Sequence, residues 1–384
     1  MLSHLPQHQI QIIALWYVVQ HSLSSFYKIS EHFDSIEQAL APESTNIWKQ
    51  LALHKNHLQR LEKFHSPEGK TEFQKILETI QKSCDFVLTE QDPHYPPQLL
   101  PYADHPPILF GQGNANALIQ PQVAIVGSRK SSPHGRQVAY DFAYYLSEKG
   151  FYITSGLAEG IDEAAHQGGI KNKKTIAVMG TGIDTTYPSQ HQKLRQNIIH
   201  NQGAIITEFL PQTKPLQQHF PRRNRIVSGL SLGVIVAEAG LKSGSLITAK
   251  LAAEQGKVIF AIPGHIYSEH HQGCHQLIRE GSILVDHPEQ VIEDLALPTQ
   301  WHEQQHLKKN SDPSINTQKN EAIDIPPHLL ALYKQLDWVG QDVDSLTTKL
   351  NLDVASLTSQ LMELELFGMC MQQSGLYVRC RSNQ

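Results

Sequence analysis

The chain has 384 residues, 40% of them hydrophobic and 18% charged, which suits a soluble protein of two or three domains. Its formal charge of −5 excludes a uniformly basic coat for nucleic acid, so any polyanion site has to be a local patch. Cys84, Cys274, Cys370 and Cys380 form no C-x-x-C pair, a pattern that fits neither a zinc site nor a disulfide framework and suits a reducing cytosol.

Residues 1–84 are expected to form a small helical module. Ile10, Ile13, Ala14, Tyr17 and Val18 fall on one helical face, Ser35 is placed to cap a short helix from Ile36 to Leu40, and Phe73, Ile76, Leu77 and Ile80 repeat at helical spacing. The apolar stretch Ile10 to Val19 is too short to span a bilayer and no Lys or Arg precedes it, so a cytoplasmic protein without membrane association is expected. The proline-rich passage from Pro93 to Gly111 reads as an extended connector, because proline fixes φ and blocks helices.

From Val123 to about Leu297, strands alternate with helical segments, the signature of a parallel sheet, and residues 85–298 are taken as one Rossmann-like domain. Runs such as Thr175-Ile-Ala-Val-Met179 are apolar throughout, as in strands covered on both faces. Five strands run into glycines: Val123-Ala-Ile-Val-Gly-Ser-Arg129, Ile153-Thr-Ser-Gly156, Val178-Met-Gly-Thr-Gly182, Ile235-Val-Ala-Glu-Ala-Gly240 and Phe260-Ala-Ile-Pro-Gly264. In a parallel sheet these junctions share one edge, where ligands bind. Glycine lets backbone approach an anion and arginine supplies a planar fork, so Gly127, Ser128 and Arg129 point to phosphate.

Ser155, Asp162 and His166 invite a hydrolytic reading, but no G-x-S-x-G elbow surrounds Ser155 and a structural network at a helix start is expected. Phe220-Pro-Arg-Arg-Asn-Arg-Ile226 is the densest basic cluster; on a helix Arg222 and Arg225 share a face while Arg223 points elsewhere. Lys242, Ser243, Gly244 and Ser245 precede a helix and form a further anion-binding candidate, though G-x-x-x-x-G-K-[ST] is absent and no strand runs into G-x-G-x-x-G. No cofactor or metal site is expected. Residues 299–322 are polar, as in a linker. Residues 323–384 read as three helices and a hairpin, with a helix from Ser345 to Leu350, another opened by Asp353, and a turn at Ser374-Gly375; this order suggests a winged helix-turn-helix.

Several blocks in order resemble the DNA-processing protein A (DprA/Smf) family: Tyr95-Pro96, Val126-Gly-Ser-Arg129 with Gly135, Ser155-Gly-Leu-Ala with Gly160-Ile-Asp162 and His166, and Gly180-Thr-Gly182 with Tyr187-Pro188. The likeness continues through Phe220-Pro221 with Arg222, Asn224 and Arg225, then Glu238-Ala239, Ser243-Gly-Ser-Leu-Ile-Thr-Ala249 and Pro263-Gly264. It implies an extended Rossmann-like α/β fold with an N-terminal module similar to sterile-alpha-motif or helix-hairpin-helix domains and a C-terminal winged helix. It also implies a homodimeric, non-enzymatic protein that binds single-stranded DNA, protects incoming DNA during natural transformation and helps load the recombinase RecA.

Two positions depart from the family pattern: His275 stands where asparagine is usual, and Leu23-Ser-Ser25 replaces the usual Gly-Pro. The second and third helices of the winged helix offer only Lys349, which favours packing or protein contact over DNA reading. The DNA contacts expected from residues and resemblance together are Gly127, Ser128, Arg129, Ser155 and Gly156 on the first junctions, Arg222, Arg223 and Arg225 on the basic helix, and Lys242 with Ser243. The competing readings are a Rossmann-like nucleotide-phosphate hydrolase related to phosphoribohydrolases, and a transcription factor built on the winged helix. The first lacks its Pro-Gly-Gly-x-Gly-Thr pattern here.

Overall fold

A computed structural model of the chain describes residues 4–295, 326, 328–336, 341–350, 352–367, 369–373 and 376–379, in two compact units, Met1–Ala296 and Leu297–Gln384. The first unit opens with helices α1 (Gln7–Val18), α2 (Leu23–His32), α3 (Ile36–Ala39), α4 (Thr45–Gln50), α5 (Lys55–His65) and α6 (Pro67–Ser83). Ser35 caps α3 by accepting from the Gln38 N–H at 3.2 Å. These helices share a core with the sheet that follows: Trp16, Phe26, Trp48 and Ile80 lie in one buried cluster with Phe110, Met179 and Ile205. The fully buried Trp16 also donates its indole N–H to the Glu208 carbonyl at 2.8 Å, satisfying a polar group that burial would otherwise leave unpaired.

The sheet contains β1 (Phe86–Thr89), β2 (Ile108–Gly113), β3 (Gln122–Gly127), β4 (Tyr152–Ser155), β5 (Thr175–Val178), β6 (Ala204–Thr207), β7 (Gly233–Glu238), β8 (Val258–Ala261) and β9 (Ile283–Leu284), in the order β1-β2-β6-β5-β4-β3-β7-β8-β9. Strands β3 to β9 pair in parallel, while β2 pairs antiparallel with both β1 and β6. The proline-rich passage is thus more than a connector. Pro106 and Pro107 stop just short of β2, whose Ile108, Leu109 and Phe110 are fully buried, since proline is tolerated where no ladder donor is needed.

Helices α7 (Pro133–Glu148), α8 (Ile161–Lys171), α9 (Gln192–His200), α10 (His219–Leu230), α11 (Ser245–Glu254), α12 (Gln272–Arg279) and α13 (Pro288–Asp294) connect or flank the parallel strands. The chain leaves β3 towards β4 on one side and returns after β6 to place β7 on the other. That reversal is a topological switch point, where the loops after β3 and β7 diverge and leave a crevice.

The second unit has α14 (Leu330–Gln335), α15 (Val343–Leu350), α16 (Val354–Leu366) and the antiparallel hairpin β10 (Cys370–Gln373) and β11 (Leu376–Arg379), around a core of Leu332, Leu346, Leu357, Leu361 and Leu364. Asp353 caps α16 through the Ser356 N–H at 3.0 Å. This is the helix and hairpin order of a winged helix. The polar segment 299–322 and the turn at Ser374-Gly375 lie outside the described residues.

Candidate functional site

A cavity of about 470 Å³ opens at the switch point. Its walls come from Gly127 to Lys130 after β3, Gly156 and Ala158 after β4, Gly240 and Lys242 to Ser245 leading into α11, and Phe220, Arg223 and Asn224 of α10. Among the described residues, four cationic side chains line it, Arg129, Lys130, Arg223 and Lys242, against one carboxylate, Asp162. All but Arg223 among the cations are exposed.

The loop after β3 is held at both ends by Glu238, the fully buried last residue of β7. The Glu238 carbonyl accepts from the Ser128 N–H at 2.7 Å, and its carboxylate accepts from the Ser132 N–H at 2.9 Å and the Ser132 hydroxyl at 2.5 Å. Ser132 in turn caps α7 through the Gly135 N–H at 2.9 Å. Glycine at 135 follows from this contact: a Cβ there would lie 2.2 Å from a Glu238 carboxylate oxygen. The arrangement fixes Ser128 to Ser132 while leaving Arg129 and Lys130 free to face an anion.

Arg129 lies over the Phe220 ring, 5.1 Å from its centroid, a cation–π contact at the cavity wall. Arg223 is 4% exposed and donates to the Val178 carbonyl at 2.7 Å. Burial lowers its pKa to about 10 while the Asp162 charge acts in the opposite sense, so it remains a cation at neutral pH. Its guanidinium occupies the space beside Gly156, where a Cβ would come within 1.7 Å of Nη1. Gly156 is therefore required by a buried arginine.

Ser155, Asp162 and His166 are brought together as a scaffold. Ser155 is fully buried and its hydroxyl donates to the Ile125 carbonyl at 2.6 Å, so it is taken up inside the sheet and not turned to the cavity. The Asp162 carboxylate accepts from the Gly156 N–H at 3.0 Å and the Ala158 N–H at 3.4 Å. His166 Nε2 accepts from the Leu157 N–H at 3.3 Å, which leaves the proton on Nδ1, 2.7 Å from the Thr175 hydroxyl. Together they shape the 156–160 loop.

Burial pushes His166 down to about 3 and His271 down to about 4, so both are neutral in the folded chain. In the unfolded chain each protonates near about 6.5, so below that pH the unfolded state binds more protons. Their contribution to stability is complete above about pH 6.5 and is lost as pH falls towards 4, by up to about 1.4 kcal/mol per pH unit for each histidine. Thermal unfolding followed from about pH 7.5 to 5 should show a level Tm down to about pH 6.5 and a falling one below it; a profile that stays flat to about pH 5 would contradict it.

Arg222 and Arg225 sit apart from the cavity's cations. Both turn to Glu208, which is 0% exposed: Arg222 donates from Nε at 3.0 Å and Nη2 at 2.7 Å, and Arg225 from Nη2 at 2.7 Å. Arg225 is itself only 6% exposed, and Arg222 lies over the rings of Trp16 and Phe209 at 5.4 and 5.3 Å. Their charge is matched by a buried carboxylate that joins α10 to the N-terminal helices.

Of the residues expected to contact DNA, the cavity brings together Gly127, Ser128, Arg129, Gly156, Arg223, Lys242 and Ser243. It adds Lys130 and Asn224, adjacent in sequence to expected residues but distinguished from them only by which way the loop and helix turn. At the departing position, His275 Nε2 is 3.1 Å from the Gly264 carbonyl, which bridges α12 to the loop after β8. Among the described residues no group of three His, Cys, Asp or Glu side chains is placed to hold a metal ion, and no helix is long and apolar enough to cross a membrane.

Residues 86–296 match the family model described as DNA recombination-mediator protein A, and residues 321–375 match that of the DprA winged helix domain. The chain is 41% identical over 292 residues to Protein Smf of Escherichia coli K12, covering 75% of each chain. It is 46% identical over 202 residues to the DNA processing protein DprA of Streptococcus pneumoniae R6, covering 52% of this chain and 71% of that protein. The X-ray structure of DprA from Streptococcus pneumoniae superposes with a TM-score of 0.65 at 34% identity, over 75% of this chain and 98% of the other. A structure of DNA processing protein A from Helicobacter pylori, described for its single-stranded DNA binding mode, superposes with a TM-score of 0.51 at 30% identity, over 56% of this chain and 97% of the other.

Proposed function

Because the chain belongs to the DNA recombination-mediator protein A (DprA/Smf) family, we propose that it binds single-stranded DNA without sequence preference at the carboxyl edge of its parallel sheet. One observation carries this reading: Arg129, Lys130, Arg223 and Lys242 surround a single cavity at the switch point, whose loops are rich in glycine and hydroxyl groups. Such groups read phosphate and sugar, which every DNA sequence presents alike. Gly127, Ser128 and Ser243 are assigned close backbone or hydroxyl contact with the strand, Gly156 the room for Arg223, and Arg129 and Lys242 the phosphate charges.

Arg222, Arg225 and Ser155 are assigned to holding α10 and the loops in place. Binding without chemistry is the reading favoured by the scaffold roles of Ser155, Asp162 and His166, each of which spends its polar atoms on backbone or a buried hydroxyl. Family membership supports a cytoplasmic mediator that works as a homodimer, protects DNA entering during transformation and passes it to RecA.

The cavity volume is that of a small-molecule site, which gives the hydrolase reading its one point of support. Incubation with nucleoside monophosphates, alongside titration with a labelled dT oligonucleotide, separates the two. The expected result is salt-sensitive binding of the oligonucleotide and intact nucleotides; release of free base, with no oligonucleotide binding at low salt, would overturn the proposal.

The winged helix is assigned no phosphate contact, since α15 and α16 carry only Lys349 as a cation. Lys349→Ala should therefore leave oligonucleotide affinity within about twofold and its salt dependence unchanged, because the variant releases as many counterions on binding as the wild type. A reduced salt slope in that variant would bring the winged helix into the DNA site.

A further inference from the structure

An aromatic ledge leads out of the cavity. Phe220 lines the cavity wall and carries Arg129 at 5.1 Å; its ring also meets Tyr187, with centroids 5.5 Å apart and planes at 44°. Tyr187 is 42% exposed, and its hydroxyl has no hydrogen-bond partner among the described residues. A single exposed aromatic is ordinary on a protein surface and needs no explanation by itself. Here, however, the loop that carries it is fixed from below. The guanidinium of Arg195, 5% exposed, donates to the Ile183 carbonyl and, at 2.9 Å, to the Thr186 hydroxyl, while the Thr181 hydroxyl donates to the Thr185 carbonyl at 2.6 Å. A buried arginine thus holds residues 183–186 in place while the next side chain stands in solvent beside a cationic cavity.

Resting on the single-stranded DNA reading above, we infer that Tyr187 is a stacking platform for an unpaired base of the strand whose phosphates occupy the cavity. Every base has a π-face, so a ring held rigidly at this position adds affinity without sequence preference. A base in a duplex is already stacked and paired, so it does not reach the ring. The phosphate contacts alone do not distinguish the two forms of DNA; Tyr187 supplies the preference for the single strand.

The test compares wild type, Tyr187→Ala and Tyr187→Phe on three probes: a dT oligonucleotide, an abasic oligonucleotide of equal length and charge, and a duplex. Tyr187→Ala should bind the dT oligonucleotide about tenfold more weakly. Its affinity for the abasic and duplex probes should be unchanged, and so should its salt slope, because every cation that meets a phosphate is still in place. Tyr187→Phe should behave as wild type. Equal affinity of wild type and Tyr187→Ala for the dT oligonucleotide, or an equal loss on dT and abasic probes, would overturn the platform while leaving the DNA site standing. A Tyr187→Phe variant as weak as Tyr187→Ala would move the effect to the hydroxyl and also overturn it. A wild-type protein that binds none of the probes would overturn the DNA reading itself and the platform with it.

Discussion

Glu208→Ala should lower the unfolding free energy by about 3 kcal/mol, the lower end of the cost of breaking a buried ion pair, because Arg225 keeps a looser contact with the Asp104 carboxylate, 3.6 Å from its Nε. Glu208 is 0% exposed and answers two guanidinium groups; without it Arg225, 6% exposed, has little solvent to turn to and only the exposed Asp104 carboxylate as a partner. Arg222 is less constrained, with its side chain 23% exposed, so most of the loss belongs to Arg225. In thermal unfolding the effect should be a fall in Tm on the order of 10 °C. Glu208→Gln, which keeps an acceptor in place, should lose less. A change below about 1 kcal/mol in the alanine variant would show that these arginines do not depend on Glu208.

The second large effect belongs to the cavity. An Arg129→Ala and Lys242→Ala double variant should lose at least about a hundredfold in affinity for a dT oligonucleotide, since each charge-assisted hydrogen bond contributes about 1.5–3 kcal/mol. Its salt slope should shrink by about 0.7 for each phosphate that is no longer neutralised on a single strand. Both side chains are exposed, so unfolding should be unchanged within about 0.5 kcal/mol. The opposite pattern is expected of an Arg222→Ala and Arg225→Ala variant: impaired stability, with an intact salt slope in whatever fraction folds. Fluorescence anisotropy across salt and thermal unfolding of the same samples check both halves. A salt slope that falls in the Arg222 and Arg225 variant, and not in the Arg129 and Lys242 variant, would exchange the assigned roles.

The parallel part of the sheet was legible because strands covered on both faces are apolar throughout and end at glycines, as in Val123 to Gly127 and Ile235 to Gly240. Caps marked two helix starts, Ser35 for α3 and Asp353 for α16, whereas Ser345, read as a start, lies inside α15 and donates its N–H to Asp342. Strands β1 and β2 were not legible. Strand β2 follows two prolines, and what makes it a strand is pairing with β1 and with β6, whose partner residues lie more than ninety positions further along the chain.

In the site, helical spacing separated Arg222 and Arg225 from Arg223, and α10 keeps that separation. Spacing carries no information on which face meets the cavity, and the buried partner Glu208 lies in a different element. Ser155 shows the same limit: a hydroxyl beside a glycine turn reads as a ligand contact until the sheet places it against the Ile125 carbonyl.

The most direct test of the account is photocross-linking of the full chain to a bromodeoxyuridine oligonucleotide, followed by peptide mapping. The account predicts cross-links on the loops after β3, β4, β5 and β7 and at the start of α10, with Phe220 and Tyr187 the preferred positions. Cross-links concentrated on α15, α16 or the β10–β11 hairpin, with the sheet edge unlabelled, would contradict it.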